Sequence, residues 1–246
     1  MESTPNDFAA AKKEFLELLL SKGALKIAKR EADFFTFKSG RRSPNFINIS
    51  ALSDGESQAA LKRAYATAIA HGVRTGRLKD FSFVFGPAYK GITLAALSCE
   101  GLYELYGKNT FLLYDRKEAK NYGDMAADQV VNGAGAWVAG SSILLVDDVI
   151  TTGKAKYDAL EKIKMLPGFK IAGLVLAVDR QELMGDATIV GDKSAVAAFE
   201  AELGVKSVCV LTMQDIFAAV KDTLEPQVKQ AWVDYYAKYG AVRLSP

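Results

Sequence analysis

One histidine, His71, and two cysteines, Cys99 and Cys209, are all that 246 residues offer of the side chains that most often bind transition metals. The cysteines stand far apart with no ligand-like spacing, so the expectation is a metal-free core in a reducing compartment. His71 falls at the end of a predicted helix and reads as structural, which leaves general acid–base chemistry without an imidazole. An excess of one charge is missing too. Thirty-one Lys plus Arg against 29 Asp plus Glu leave a formal net charge of +2, which argues against a surface that coats polyanions. Any phosphate site must come from local clusters. The first twenty residues carry Glu2, Asp7, Lys12, Lys13, Glu14 and Glu17, so they hold no signal-peptide apolar stretch, and a cytoplasmic location is expected. Residues 129–146 lack charge, but three glycines, an asparagine and two serines disfavour a membrane span. The sequon at Asn48, Ile49 and Ser50 is read as chance in that setting. Both common nucleotide loops are also absent. A Walker A loop ending at Gly153 and Lys154 would need glycine at Asp148 and a hydroxyl at Ala155, and Val138 stands where a dinucleotide fingerprint from Gly133 needs its third glycine.

What is present is a half-apolar chain, enough for a substantial core, without repeats, low-complexity tracts or a linker. One segment stands out. Four aliphatic residues, Ile143 to Val146, suit a strand covered on both faces, and Asp147 and Asp148 then lie at its carboxyl end, where α/β sheets bind ligands. Thr151, Thr152 and Gly153 follow with hydroxyls and approachable N–H groups before a predicted helix at 154–165, a cradle for a phosphate beside two acceptor carboxylates. Sugar hydroxyls next to a phosphate would match it.

Around this centre, apolar periodicity predicts helices at 7–21, 54–71, 92–106 and 195–203, with Gly23 and Gly72 as stops for the first two. A last helix starts near Pro226, buries Val228, Trp232, Tyr235 and Tyr239 on one face and ends at Gly240. Apolar runs predict strands at 81–85, 111–114, 143–146, 171–178 and 205–211, and a basic turn joins two aromatic strands at 34–37 and 46–49. Residues 212–215 resemble a capping box. Strands alternating with helices imply a mainly parallel sheet in an α/β fold.

Val146, Asp147, Asp148, Val149, Ile150, Thr151, Thr152 and Gly153 together resemble the phosphoribosyl pyrophosphate signature of the type I phosphoribosyltransferases. Three further runs narrow the resemblance to the orotate phosphoribosyltransferase family: residues 37–44 (Phe, Lys, Ser, Gly, Arg, Arg, Ser, Pro), 85–91 (Phe, Gly, Pro, Ala, Tyr, Lys, Gly) and 116–120 (Arg, Lys, Glu, Ala, Lys). Asp179, Arg180, Gln181 and Glu182 complete the series in the family's order, over nearly the whole chain. The resemblance implies one domain over residues 1–246, a central parallel sheet flanked by helices, with a small hood built mainly from residues 1–50 and C-terminal helical additions. It also implies transfer of phosphoribosyl from phosphoribosyl pyrophosphate to orotate with Mg²⁺, held mainly through substrate and water. A homodimer whose lid follows residue 120 and reaches the neighbouring subunit is implied as well, with no nucleic-acid or membrane partner.

By the same resemblance, Asp147 and Asp148 would accept ribose hydroxyls, and their charge could favour the cationic sugar that forms as pyrophosphate leaves. Thr151, Thr152, Gly153, Lys154 and Ala155 would surround the 5′-phosphate, with Val149 and Ile150 also contacting phosphoribosyl pyrophosphate and Lys154 standing where a small hydroxyl residue is frequent. Lys38, Tyr89, Lys90, Arg116, Lys117, Lys120 and Tyr122 would meet phosphoribosyl pyrophosphate, the cations among them offsetting phosphate charge that Mg²⁺ only partly neutralises. Lys38, Phe46, Ile47, Thr151 and Arg180 would hold orotate, with Arg180 forking its carboxylate and Phe46 stacking on the ring. Ile47 replaces a frequent aromatic, and Tyr122 stands where some members carry a lid histidine.

As isolated features, most of these residues have plain structural readings: helix capping for the acids and threonines, solvated surface for the lysines, core for Phe46. A receiver domain would place its acidic pair after a first strand near the domain start, whereas this pair sits mid-chain. Purine phosphoribosyltransferases share the central signature but not the contexts of Lys38 and Arg180, and a regulator keeping this fold is expected to have a damaged transfer loop. At this length a fused decarboxylase is not expected. Without a lid imidazole, Lys120 and Mg²⁺ must carry the departure of pyrophosphate. Replacing Lys120 with Ala is therefore expected to cause a large loss of kcat, and Tyr122→Phe with little rate loss would reject a chemical role for that hydroxyl.

Overall fold

The computed structural model describes residues 5–115, 131–150 and 154–246. Arg116, Lys117, Lys120 and Tyr122 of the expected lid, and Thr151, Thr152 and Gly153, lie outside the described residues. The elements are α1 (Pro5–Ser21), β1 (Leu25–Ile27), β2 (Phe35–Thr36), β3 (Arg42–Ser43), β4 (Asn45–Ile47), α2 (Gly55–Arg74), β5 (Phe83–Gly86), α3 (Lys90–Tyr106), β6 (Phe111–Asp115), β7 (Val131–Asn132), β8 (Ser142–Asp147), α4 (Lys154–Ile163), β9 (Lys170–Asp179), β10 (Leu183–Gly185), β11 (Val190–Ser194), α5 (Ala195–Leu203), β12 (Ser207–Thr212), α6 (Met213–Val220) and α7 (Pro226–Tyr239).

The five strands predicted from apolar runs form one parallel sheet in the order β12, β9, β8, β5, β6, and β7, which the sequence does not predict, adds an antiparallel edge beside β6. Because successive strand side chains point to opposite faces, each run feeds two cores. Ile143, Leu145, Phe83, Phe85, Leu174 and Leu176 pack beneath Leu160 and Ile163 of α4 and Phe199 of α5. Leu144, Val146, Val84, Val175 and Val210 face the other way, into a larger core shared with α1, α2, α3, α6 and α7. The mainly parallel α/β architecture expected from the sequence is the one observed, and it places every parallel strand's carboxyl end along one rim.

The terminal helices dock as their periodicity predicts. Phe8, Phe15, Leu18 and Leu19 of α1 are buried, as are Val228, Trp232, Tyr235 and Tyr239 of α7. Thr212 and Asp215 form the expected capping box, and Asp215 also pairs with Lys12 of α1 at 2.8 Å. His71 stacks on Phe8 at 4.3 Å between ring centroids, and burial and then the charge of Arg74 lower its pKa.

Two local expectations differ. Gly72 does not close α2. A Cβ there would lie 2.6 Å from Leu78 Cδ1 and 2.8 Å from Val208 Cγ2, so the glycine lets β12 and the following loop pack closely while the helix continues to Arg74. In the N-terminal region, the strand expected at 34–37 does not pair with the one at 46–49. β2 closes on β3 as a short hairpin, whereas β4 turns back onto β1 with Leu25 opposite Ile47. Pro44, which has no N–H for either ladder, separates the two pairings. The β10–β11 hairpin was not predicted at all.

Candidate active site

The two acidic residues that end β8 are buried, with Asp147 8% and Asp148 9% exposed. Buried carboxylates need partners. Asp147 Oδ1 accepts from Asp148 N at 2.9 Å, Asp148 Oδ1 accepts from Val149 N at 2.8 Å, and Asp148 Oδ2 pairs with Lys90 Nζ at 3.1 Å. The backbone is pinned as firmly: Tyr65 Oη donates to Asp147 O at 2.8 Å, and Asp148 O accepts from Ala177 N at 2.9 Å and Val178 N at 3.2 Å. Burial and then the charges of Asp148 and Asp147 push the Tyr65 phenol well above its ordinary range, so it remains a donor. The acids are therefore held by groups that fix their direction.

Lys90 comes from a glycine-bounded loop. A Cβ on Gly86 would fall 1.8 Å from the Gly91 carbonyl oxygen, so only glycine lets β5 meet the start of α3 this closely. Asp115, the buried last residue of β6, accepts from Ala88 N of this loop at 2.6 Å and pairs with Lys162 Nζ of α4 at 2.7 Å. One carboxylate thus joins three segments: the loop before α3, the strand that leads into Arg116, and the helix that begins at Lys154.

On one side of the β8 turn lies a cavity of about 480 Å³ lined by Phe37, Lys38, Arg41, Phe46, Ile150, Asp179, Arg180, Glu182, Met184 and others. The Phe46 ring lies 5.7 Å from that of Phe35 and 6.2 Å from that of Phe37, and the Arg180 guanidinium sits 4.0 Å from the Phe37 centroid, a cation–π distance. Burial pushes the Asp179 carboxyl up, aided by the nearby charges of Glu200 and Glu182. Burial acts against the Arg180 charge, but Glu182 outweighs it and keeps its pKa above the ordinary value. On the other side, Lys90 and Asp148 line a second cavity of about 340 Å³ with Ser50, Gln58 and Thr93. A turn bearing two acids separates an apolar, guanidinium-bearing cavity from a lysine-edged one.

The structure therefore brings Lys38, Phe46, Ile150 and Arg180 together in one cavity and Lys90, Asp147 and Asp148 together at the turn. Tyr89, beside Lys90, is exposed. Lys154 and Ala155 are the first residues of α4, where helix geometry leaves N–H groups without partners inside the helix. Ile47 is placed differently from Phe46. It packs against the larger core, because adjacent residues of β4 face opposite ways. Among the described residues, no group of three His, Cys, Asp or Glu side chains could hold a metal ion.

No protein-family model matches the chain. It is 38% identical to the orotate phosphoribosyltransferase of Bifidobacterium adolescentis over 239 residues, covering 92% of this chain and 96% of that protein. Over 238 residues it is 37% identical to the orotate phosphoribosyltransferase of Neurospora crassa, covering 94% of this chain and 96% of that protein. The crystal structure of orotate phosphoribosyltransferase from Francisella tularensis superposes with a TM-score of 0.74 at 32% identity, covering 92% of this chain and 98% of that one.

Tyr65, Arg41, Asp115, Lys162 and Glu182 carry no assigned role in the sequence reading. Arg41 and Glu182 lie inside recognised motifs, which was the available signal, but Lys162 meets Asp115 only through the fold. Replacing Asp115 with Ala removes the acceptor of a main-chain N–H and the partner of an ammonium. It should cost about 1–3 kcal/mol of unfolding free energy, the usual penalty for leaving such donors unpaired. Denaturant titration measures it; a variant as stable as the parent would show that this bridge does not hold the loop.

Proposed function

The chain belongs to the orotate phosphoribosyltransferase family, and from that premise we propose how its residues divide the work. The enzyme transfers the phosphoribosyl group of phosphoribosyl pyrophosphate to orotate in pyrimidine biosynthesis, giving orotidine 5′-monophosphate and pyrophosphate. The bond from the anomeric carbon to the pyrophosphate oxygen breaks with its electron pair leaving on that oxygen, while N1 of orotate loses its proton to pyrophosphate or solvent and supplies the electron pair of the new bond. Positive charge develops on the sugar while negative charge grows on the leaving group.

The observation that carries the assignment is the buried acidic turn between the two cavities. Asp147 and Asp148 accept the ribose hydroxyls and stabilise the cationic sugar, an effect strengthened by the burial that fixes them. Lys90 lies beside Asp148 and, with Tyr89, Lys38 and the lid residues Arg116, Lys117, Lys120 and Tyr122, receives the pyrophosphate. The 5′-phosphate sits at the start of α4, on residues 151–155. Orotate occupies the larger cavity, stacked on Phe46, with its carboxylate on Arg180 and with Lys38 and Thr151 at its edge. Ile47 acts through packing of β4 rather than by stacking on the base.

Mg²⁺, when bound, offsets phosphate charge during the transfer. The donors present fit an ion carried in by the substrate: Asp148 is already engaged by Lys90 and Val149 N, and magnesium retains water and prefers phosphate oxygens. A homodimer with the lid shared between subunits, and a cytoplasmic location consistent with the two unpaired cysteines, complete the proposal. No helix among the described residues is long and apolar enough to cross a membrane.

The direct assay follows loss of orotate absorbance with phosphoribosyl pyrophosphate and Mg²⁺, using adenine, hypoxanthine and uracil as controls. Consumption of orotate alone, stopped by a chelator, is expected; no loss of orotate would overturn the assignment. In the same assay, Lys90→Ala should raise KM for phosphoribosyl pyrophosphate about ten- to a hundredfold, the scale of one charge-assisted hydrogen bond. Sedimentation at several concentrations tests the dimer.

A further inference from the structure

Arg180 has more donors than its neighbours accept. Its Nε and Nη2 both donate to Glu182 Oε1, at 3.1 and 2.5 Å, while Nη1 makes no hydrogen bond to a described residue and the guanidinium lines the larger cavity. Glu182 is tethered in turn at its second oxygen and at its backbone. Its Oε2 lies 3.7 Å from Arg41 Nη1, and its backbone bridges to Gly240. Arg41 is itself 3% exposed, donates to the carbonyl oxygens of Asp186 at 3.0 Å and Leu183 at 2.8 Å, and lies 4.6 Å from the Tyr239 ring centroid. The Arg180 backbone is also tied, since Tyr236 Oη donates to its carbonyl at 2.7 Å.

We propose that Glu182, locked by Arg41, is a positioning residue that holds one edge of Arg180 so that the remaining Nη1 edge meets the carboxylate of the base. A guanidinium offers five N–H donors in a rigid fork, so occupying the Nε edge dictates which edge a second carboxylate can use. Phe37 covers one face of the same group and limits rotation about its long side chain. The arrangement gives Arg41 a reason to lie between Lys38 and Phe46 in sequence: it connects the hairpin that carries Lys38 to the loop that carries Arg180. The inference rests on Arg180 being the contact for the orotate carboxylate.

A double-mutant cycle in full-length enzyme separates the inference from that premise. Glu182→Ala should raise KM for orotate about tenfold, within the coupling seen between contacting residues, with KM for phosphoribosyl pyrophosphate unchanged within about twofold. Glu182→Gln, which retains an acceptor oxygen, should recover part of the loss. On an Arg180→Ala background, adding Glu182→Ala should change orotate KM by less than about twofold, because the group it positions is gone. An equal loss on both backgrounds, or unchanged orotate KM in the single variant, overturns the inference. Unchanged orotate KM in Arg180→Ala instead defeats the premise. Should Glu182→Ala fail to fold, the same cycle with Glu182→Gln carries the test.

Discussion

The buried turn at the end of β8 is the constraint on which the site depends. Placing Asp147 and Asp148 side by side away from water is costly unless each is met by donors, and the fold supplies them from several directions. Their carboxylates accept from Asp148 N, Val149 N and Lys90 of the loop before α3, while Tyr65 of α2 and two N–H groups of β9 hold the Asp147 and Asp148 backbone carbonyls. Each of these elements is positioned by the parallel sheet. Four of its strand ends therefore converge in function as well as in space: β5 leads to Lys90, β6 to Asp115, β8 to the acids and β9 to Arg180.

This arrangement has an electrostatic logic. The acids occupy the centre, with Lys90 on one side and Arg180 and Lys38 on the other. On the proposed assignment, a sugar that becomes positive, phosphates that stay negative and the carboxylate of orotate would each meet the opposite charge. Because the groups are fixed before substrate arrives, little reorganisation is left for the moment of bond cleavage. Asp115 extends the same economy to the frame, since a single carboxylate keeps the lysine loop and α4 in register.

The central sheet was legible because a strand buried on both faces leaves an uninterrupted apolar run, and Ile143 to Val146 divide between the two cores as that predicts. Helix faces were legible through periodicity, as Trp232 and its neighbours in α7 show. The pairings of the short N-terminal strands were not, because two or three residues carry too little pattern to name a partner. Gly72 misled for a related reason: its small size serves contact with Leu78 and Val208, which only the fold brings near. Motifs pointed to the acids, Lys90, Phe46 and Arg180, which the fold gathers at the turn and its two cavities. Ile47 was grouped with Phe46 by motif, although strand alternation turns it toward the core. The supports, Tyr65 and Lys162 among them, act over long sequence separations and leave no local signal.

The most direct test of this account is a crystal structure of the enzyme with phosphoribosyl pyrophosphate and Mg²⁺ bound. Asp147 and Asp148 should each lie at hydrogen-bond distance from a ribose hydroxyl, about 2.5–3.0 Å, with the ion on pyrophosphate and water oxygens. Both carboxylates coordinating the ion directly at about 2.0–2.1 Å, with the ribose hydroxyls held elsewhere, would contradict it.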